Sequence, residues 1–114
     1  PEVVKALQEH IFNWTIWPDF TELPDKDNAV LKLEIMDAGS TVELSGRTIE
    51  SISVNHAVPG VGYCVQSQGK AFAFSGDTTT NDTFWSSLNK YDSLQLLFIE
   101  AAFADKDIEL AKLA

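Results

Sequence analysis

Apolar residues Val4, Leu7 and Ile11 fall three and four positions apart, so residues 3–13 read as an amphipathic helix with Phe12 close to its apolar face. Asn13 to Phe20 breaks that period. Pro18 holds Trp17 to extended geometry and the aromatics need a surface to cover, which predicts a packed loop. Pro24 to Asn28 is polar turn chemistry. Leu31, Leu33 and Ile35 then alternate with Lys32 and Glu34, the period of a half-buried strand. A short strand over Thr41–Leu44, a turn at Ser45-Gly46-Arg47 and a β-branched run through Ile49, Ile52 and Val54 follow, the last ending at Asn55-His56. Val61 to Ser67 and Lys70 to Phe74 flank Gln68-Gly69 and predict a hairpin. Asn81 or Asp82 caps a helix through about Lys90, with Phe84, Trp85 and Leu88 on its apolar face. Leu94 to Ile99 is almost uninterruptedly apolar, the pattern of a strand buried on both faces. A final helix starts near Asp105.

The order of elements predicts an α/β fold, a mixed, largely antiparallel sheet with flanking helices. At 114 residues the chain has room for a single domain. It starts at Pro1 without an initiating Met and ends within a helical pattern, so residues 1–114 are expected to be a single partial domain cut from a longer protein. Such a piece would leave one sheet face without its partner layer, exposing Phe72, Phe74, Leu96 and Phe98, and either the missing half of the domain or self-association is expected to cover it.

Eight basic against seventeen acidic residues give a formal net charge of −9, which repels nucleic-acid backbones and disfavours general nucleic-acid binding. The longest apolar stretches are a few residues, so no membrane span is expected and the cytoplasm is the default compartment. The single Cys64 supports neither an internal disulfide nor a multi-thiolate zinc site, and reads as buried filler. Any metal must therefore rest on His, Asp or Glu.

The candidates for that chemistry stand at strand ends. His56 closes an apolar strand before a Pro/Gly turn, and neutral imidazole is the commonest side-chain metal ligand. Asp77 follows Phe74-Ser75-Gly76 where another strand leaves the sheet, although a turn-capping role with Thr78 to Thr80 is the plainer reading. One hairpin separates the two, so one edge of the sheet could present both to the same ion. Glu100, at the end of the Leu94–Ile99 run, is costly to bury unless paired, hydrogen-bonded or near a metal; a loop carboxylate in water is its plain alternative. His10 lies on a helix in polar surroundings and stays outside the site.

Three blocks in order resemble the metallo-β-lactamase-fold hydrolases, in their phosphodiesterase-like branch. They are Val54-Asn55-His56 to Gly62-Tyr63, then Phe74-Ser75-Gly76-Asp77-Thr78, then Phe98-Ile99-Glu100-Ala101-Ala102-Phe103. The segment Ile11 to Phe20 also resembles the one preceding these blocks in class II cyclic-nucleotide phosphodiesterases. The resemblance implies an αββα sandwich of which this chain is the C-terminal portion. It implies a metal-dependent phosphodiesterase with two zinc ions, or manganese, that activate a bridging hydroxide against a small phosphodiester such as a 3′,5′-cyclic nucleotide. His56 then matches a terminal metal ligand, Asp77 the metal bridge and Glu100 a supporting position. Ile99 stands where transfer-RNA 3′-end nucleases commonly carry His, which weakens a nuclease reading.

The family's H-x-H-x-D-H motif is absent, and His10 and His56 are the only histidines. His56 and Asp77 alone fall short of the three protein ligands of a catalytic zinc, so the 114 residues by themselves are expected to be inactive. Two alternatives keep the fold: a catalytically silent interaction domain, and a hydrolase of RNA, sulfate esters or thioesters.

Overall fold

A computed structural model describes residues 2–111, for Asp105 the backbone only. The chain divides into two compact units, residues 1–35 and 36–114.

The first unit opens with helix α1 (Glu2–His10). The helix stops short of the expected residue 13 because Asn13 takes over its end: its Nδ2 donates to the Glu9 carbonyl at 2.8 Å, and its Oδ1 accepts from Thr15 N at 3.0 Å. Such local side-chain bonds offer the backbone an alternative to the helix. Trp14 adopts a positive φ of 66°, and the loop closes through a single parallel bridge between Phe12 and Trp17. Phe20 packs on both rings, at 6.0 Å from Phe12 and 6.1 Å from Trp17. Asp25 caps a 3₁₀ turn over Lys26–Asn28. The strand expected over Leu31, Leu33 and Ile35 does not form. The in-out alternation is present at Leu31 to Glu34, but the segment is tethered only by single bonds such as Leu31 N to the Phe20 carbonyl, 3.0 Å, and alternation without a neighbouring strand makes no ladder.

The second unit is a five-stranded mixed sheet in sequential order: β1 (Thr41–Leu44), β2 (Arg47–Val54), β3 (Gly60–Ser67), β4 (Lys70–Phe74) and β5 (Leu94–Phe98). The first four strands are antiparallel neighbours, and β5 joins β4 in parallel. Ser45-Gly46 and Gln68-Gly69 form the two hairpin turns with positive φ at both central positions, 51° and 73° in the first, 51° and 72° in the second. That is the geometry whose twist matches paired strands.

Helix α2 (Asp82–Leu88) covers one face of the sheet and seats Phe84 and Leu88 among Ile52, Cys64, Ala71 and Ala73. Beneath it β3 and β4 supply small residues, Gly62, Cys64, Ala71 and Ala73. A Cβ on Gly62 would stand 2.6 Å from the Phe84 ring, so only glycine lets the ring lie that close. The other face carries Phe72, Phe74, Leu96 and Phe98, exposed as the sequence led us to expect. Burial of β5 on both faces is not observed: it is an edge strand bonded to β4 alone, with Leu94 and Leu97 packed against the core and Leu96 and Phe98 uncovered. After a 3₁₀ turn at Asp105–Asp107, α3 (Ile108–Ala111) ends the described chain, and the remainder of the expected final helix lies outside the described residues. The architecture is α/β.

Candidate functional site

Strands β2, β4 and β5 run in the same direction, so their C-terminal tips reach one end of the sheet. Ligand sites of open α/β sheets gather beyond such tips. His56 follows β2, the Ser75–Thr80 turn follows β4, and Glu100 follows β5.

A web of hydrogen bonds fixes these three exits relative to one another. Ser75, fully buried, donates its N–H to the Phe98 carbonyl at 3.0 Å and receives the Glu100 N–H on Oγ at 3.1 Å. The Glu100 carboxylate accepts from Thr78 N at 3.0 Å, next in sequence to Asp77. Across β3, the Asn55 carbonyl accepts from Thr79 N at 2.7 Å, while Asn55 Nδ2 donates to Thr79 Oγ1 at 3.0 Å. Asn81 joins the web to α2: its Oδ1 caps the helix by accepting from Phe84 N at 3.0 Å, and its Nδ2 reaches the Ser53 carbonyl and Thr78 Oγ1, both at 3.4 Å. Gly76, at φ 62°, turns the chain where a Cβ would already touch the Val61 carbonyl at 3.0 Å.

A cavity of about 540 Å³ lies beside this web. His56, Glu100 and threonines 78–80 make its polar side, while Ala102, Phe103 and Ile108 make its apolar side. It suits a ligand with a hydroxylated part against the imidazole and hydroxyls, and an apolar part against Phe103. His56 and Glu100 thus share one cavity. Asp77 is exposed on the adjoining turn and is not among the described residues lining it. The carboxylate that caps this turn is Glu100 and not Asp77, because β5 delivers Glu100 alongside the Thr78 N–H. Sequence reasoning passed over the threonines as ligand groups; three consecutive hydroxyls after a strand were the available signal.

His56 Nδ1 accepts from Val58 N at 3.4 Å. A neutral imidazole in that state carries its proton on Nε2, so binding a metal through Nε2 requires surrendering this contact and moving the proton to Nδ1. Among the described residues, no group of three or more His, Cys, Asp and Glu side chains could hold a metal ion. A catalytic zinc takes three protein ligands and an open position. The described residues therefore do not by themselves fit a zinc or manganese centre. What they do form is a braced, half-polar cavity wall.

A second titratable group lies apart from the strand tips. Tyr91 donates its hydroxyl to Glu50 on the helix-covered face. Burial, reinforced by that bond, holds the Tyr91 hydroxyl well above its ordinary value, and burial followed by the charge of Glu50 pushes the Cys64 thiol up. Cys64 is therefore a protonated, inert thiol at neutral pH.

Compared with models of known families, with curated proteins and with solved structures, the chain finds no match. Among the described residues no helix is long and apolar enough to cross a membrane.

Proposed function

We propose that this chain forms one wall of the active site of a metal-dependent phosphodiester hydrolase of metallo-β-lactamase type, completed by ligands from outside these 114 residues. One observation carries the reading: the candidate residues of the three blocks, His56, Asp77 and Glu100, follow β2, β4 and β5, three strands running in the same direction, and so stand at the same end of the sheet. In this reading His56 is a terminal metal ligand, Asp77 the metal bridge, and Glu100 the group that holds Asp77's turn through Thr78 N. The apolar side of the cavity, Ala102, Phe103 and Ile108, supports a flat substituent such as the base of a cyclic nucleotide.

The test uses the gene product that contains these residues, supplied with zinc or manganese and offered a cyclic nucleotide or a bis-aryl phosphodiester. Chelator-sensitive hydrolysis is expected, lowered at least about 100-fold by Asp77→Ala and roughly 10-fold by Glu100→Gln. Absence of chelator-sensitive turnover, or full activity after Asp77→Ala, overturns the reading.

A catalytically silent interaction domain of the same fold is the second reading. It draws on the Glu100 carboxylate being engaged by Thr78 N, and on no metal-binding group of three or more such side chains among the described residues. Failure of the same gene product to bind zinc by equilibrium dialysis would favour it.

A further inference from the structure

The polar side of the cavity is assembled from strands that are not neighbours. His56 follows β2 and threonines 78–80 follow β4, with β3 lying between the two strands in the sheet. Adjacent strands lie about 4.7–4.9 Å apart, so two spacings, roughly 9–10 Å, separate the exits. The ladder alone does not bring imidazole and hydroxyls to one ligand. The turn after β4 leans across the start of β3 instead: a Cβ on Gly60 would stand 3.9 Å from the Asp77 carbonyl, and one on Gly76 would stand 3.0 Å from the Val61 carbonyl.

Asn55, immediately before His56, spans the gap. Its backbone carbonyl accepts from Thr79 N at 2.7 Å and from Thr78 Oγ1 at 3.3 Å. Its Nδ2 donates both hydrogens to the same turn, one to Thr79 Oγ1 at 3.0 Å and the other to the Thr80 carbonyl at 3.2 Å. Asn81 adds longer contacts from the start of α2, at 3.4 Å to Thr78 Oγ1 and to the Ser53 carbonyl. Glu100 grips the turn from the β5 side through Thr78 N. The turn is thus braced on both flanks, and the shortest bonds toward β2 are those of Asn55. Asn55 is exposed, so hydrogen bonding and not burial defines what it does.

The bond to Thr79 has a chemical consequence. A hydroxyl oxygen that accepts from an amide turns its own hydrogen away from that donor. Thr79 lines the cavity, and among the described residues its hydroxyl donates to no protein acceptor. We propose that Asn55 is a positioning residue of the cavity, setting the reach between His56 and the threonine turn and aiming the Thr79 hydroxyl at a ligand oxygen. The effect on turnover rests on the hydrolase reading, in which that oxygen belongs to the phosphodiester; the brace itself does not. Aspartate cannot replace Asn55, because it would set an oxygen against the Thr80 carbonyl where Nδ2 now donates.

The experiment uses the gene product that contains these residues, with amide hydrogen exchange read at Thr79 and phosphodiester turnover measured beside it. Asn55→Ala is expected to speed exchange of the Thr79 amide roughly 10-fold or more, while the Phe84 amide, held by Asn81, keeps its rate. Asn55→Asp should do the same, and stands in where the alanine variant fails to fold. In turnover, Asn55→Ala and Thr79→Ala should each lower kcat/KM roughly 10-fold, and the double variant should lose about as much as either alone, because the two side chains act as a unit. Thr48→Ala, which removes a side-chain bond to Glu43 at the other end of β2, leaves turnover unchanged. Unchanged Thr79 exchange in the Asn55 variants overturns the proposal. So do losses that multiply in the double variant, or a loss in Thr48→Ala equal to that in Asn55→Ala. An unaltered gene product that hydrolyses no phosphodiester sinks the hydrolase reading and not the brace: faster Thr79 exchange in the variants then still supports Asn55 as the residue that sets the turn, and unchanged exchange overturns it.

Discussion

Gly62→Ala tests whether close approach of α2 to β3 underlies the fold of the second unit. A methyl at this position would lie 2.6 Å from Phe84 Cε2, 2.8 Å from the Phe74 carbonyl and 2.9 Å from the Ser75 carbonyl. Carbon atoms pack best at roughly 3.5–4.0 Å, so the ring must move by about 1 Å. Moving the ring alone does not relieve the strain, because two of the three clashing atoms are backbone oxygens of β4 and its exit. Overpacking of a core typically costs about 1–3 kcal/mol. Phe84 is fully buried at the centre of that core, so part of its burial free energy, about 1.5–3 kcal/mol when complete, is lost as well. The expected destabilisation is about 2–4 kcal/mol, or roughly 8–16 °C in Tm for a chain of this size. Gly60→Ala, two residues earlier on the same strand, is the control. There the nearest atom is Val54 Cγ2 at 3.2 Å, the end of a side chain, and the backbone atoms stand at 3.8 Å or beyond. Its cost should stay below about 1 kcal/mol, since replacing glycine also restricts the unfolded chain. Urea and thermal unfolding of both variants decide the matter. If Gly62→Ala unfolds no more easily than Gly60→Ala, the close-approach reasoning is wrong.

Asn81→Ala removes the cap of α2 and its ties to Ser53 and Thr78, and should cost about 1–2 kcal/mol by urea unfolding, whereas Asp82→Ala should cost under about 0.5 kcal/mol. Tyr91 gives a pH dependence. Its proton is held more tightly in the folded than in the unfolded chain, so its contribution is complete below the unfolded value near 10 and is lost as the pH climbs above it. Melting temperatures between neutral pH and pH 11 should therefore fall more steeply for the unaltered chain than for Tyr91→Phe. Equal slopes would show that Tyr91 titrates alike in both states.

Local chemistry was the legible part of the fold. The two-residue turns, the Asn81 cap, the β2–β4 meander and the exits at His56, Asp77 and Glu100 all follow from short-range rules that need no knowledge of distant neighbours. The misread elements depend on what lies beside them. Leu31, Leu33 and Ile35 alternate like a strand but have no ladder to join, and the apolar run of β5 reads as doubly buried because composition does not reveal that its neighbour on one side is missing. In the site, the position of each candidate at a strand end was legible, and the common direction of β2, β4 and β5 brings His56 and Glu100 to one cavity. The identity of the turn's cap was not. Asp77 is the nearer carboxylate in sequence, and only the parallel pairing of β5 brings Glu100 to Thr78 N.

The same pairing joins the open face to the strand tips. Phe74 and Phe98 are register partners at the ends of β4 and β5, and the next backbone bond along, Ser75 N to the Phe98 carbonyl, begins the web that holds Glu100 and the turn bearing Asp77. Among the described residues this ladder, the Leu94 and Leu97 contacts and the Glu100 bonds to Ser75 and Thr78 hold the edge strand β5 in register. Edge elements with few buried contacts open at lower free energy than a sheet's centre. A layer stacked on Phe72, Phe74, Leu96 and Phe98 would raise that opening free energy, and with it the rigidity of the Glu100–Thr78 contact at the cavity. Stability of the face and order of the site are thus one property of β4 and β5, so a perturbation that separates these two strands disorders both.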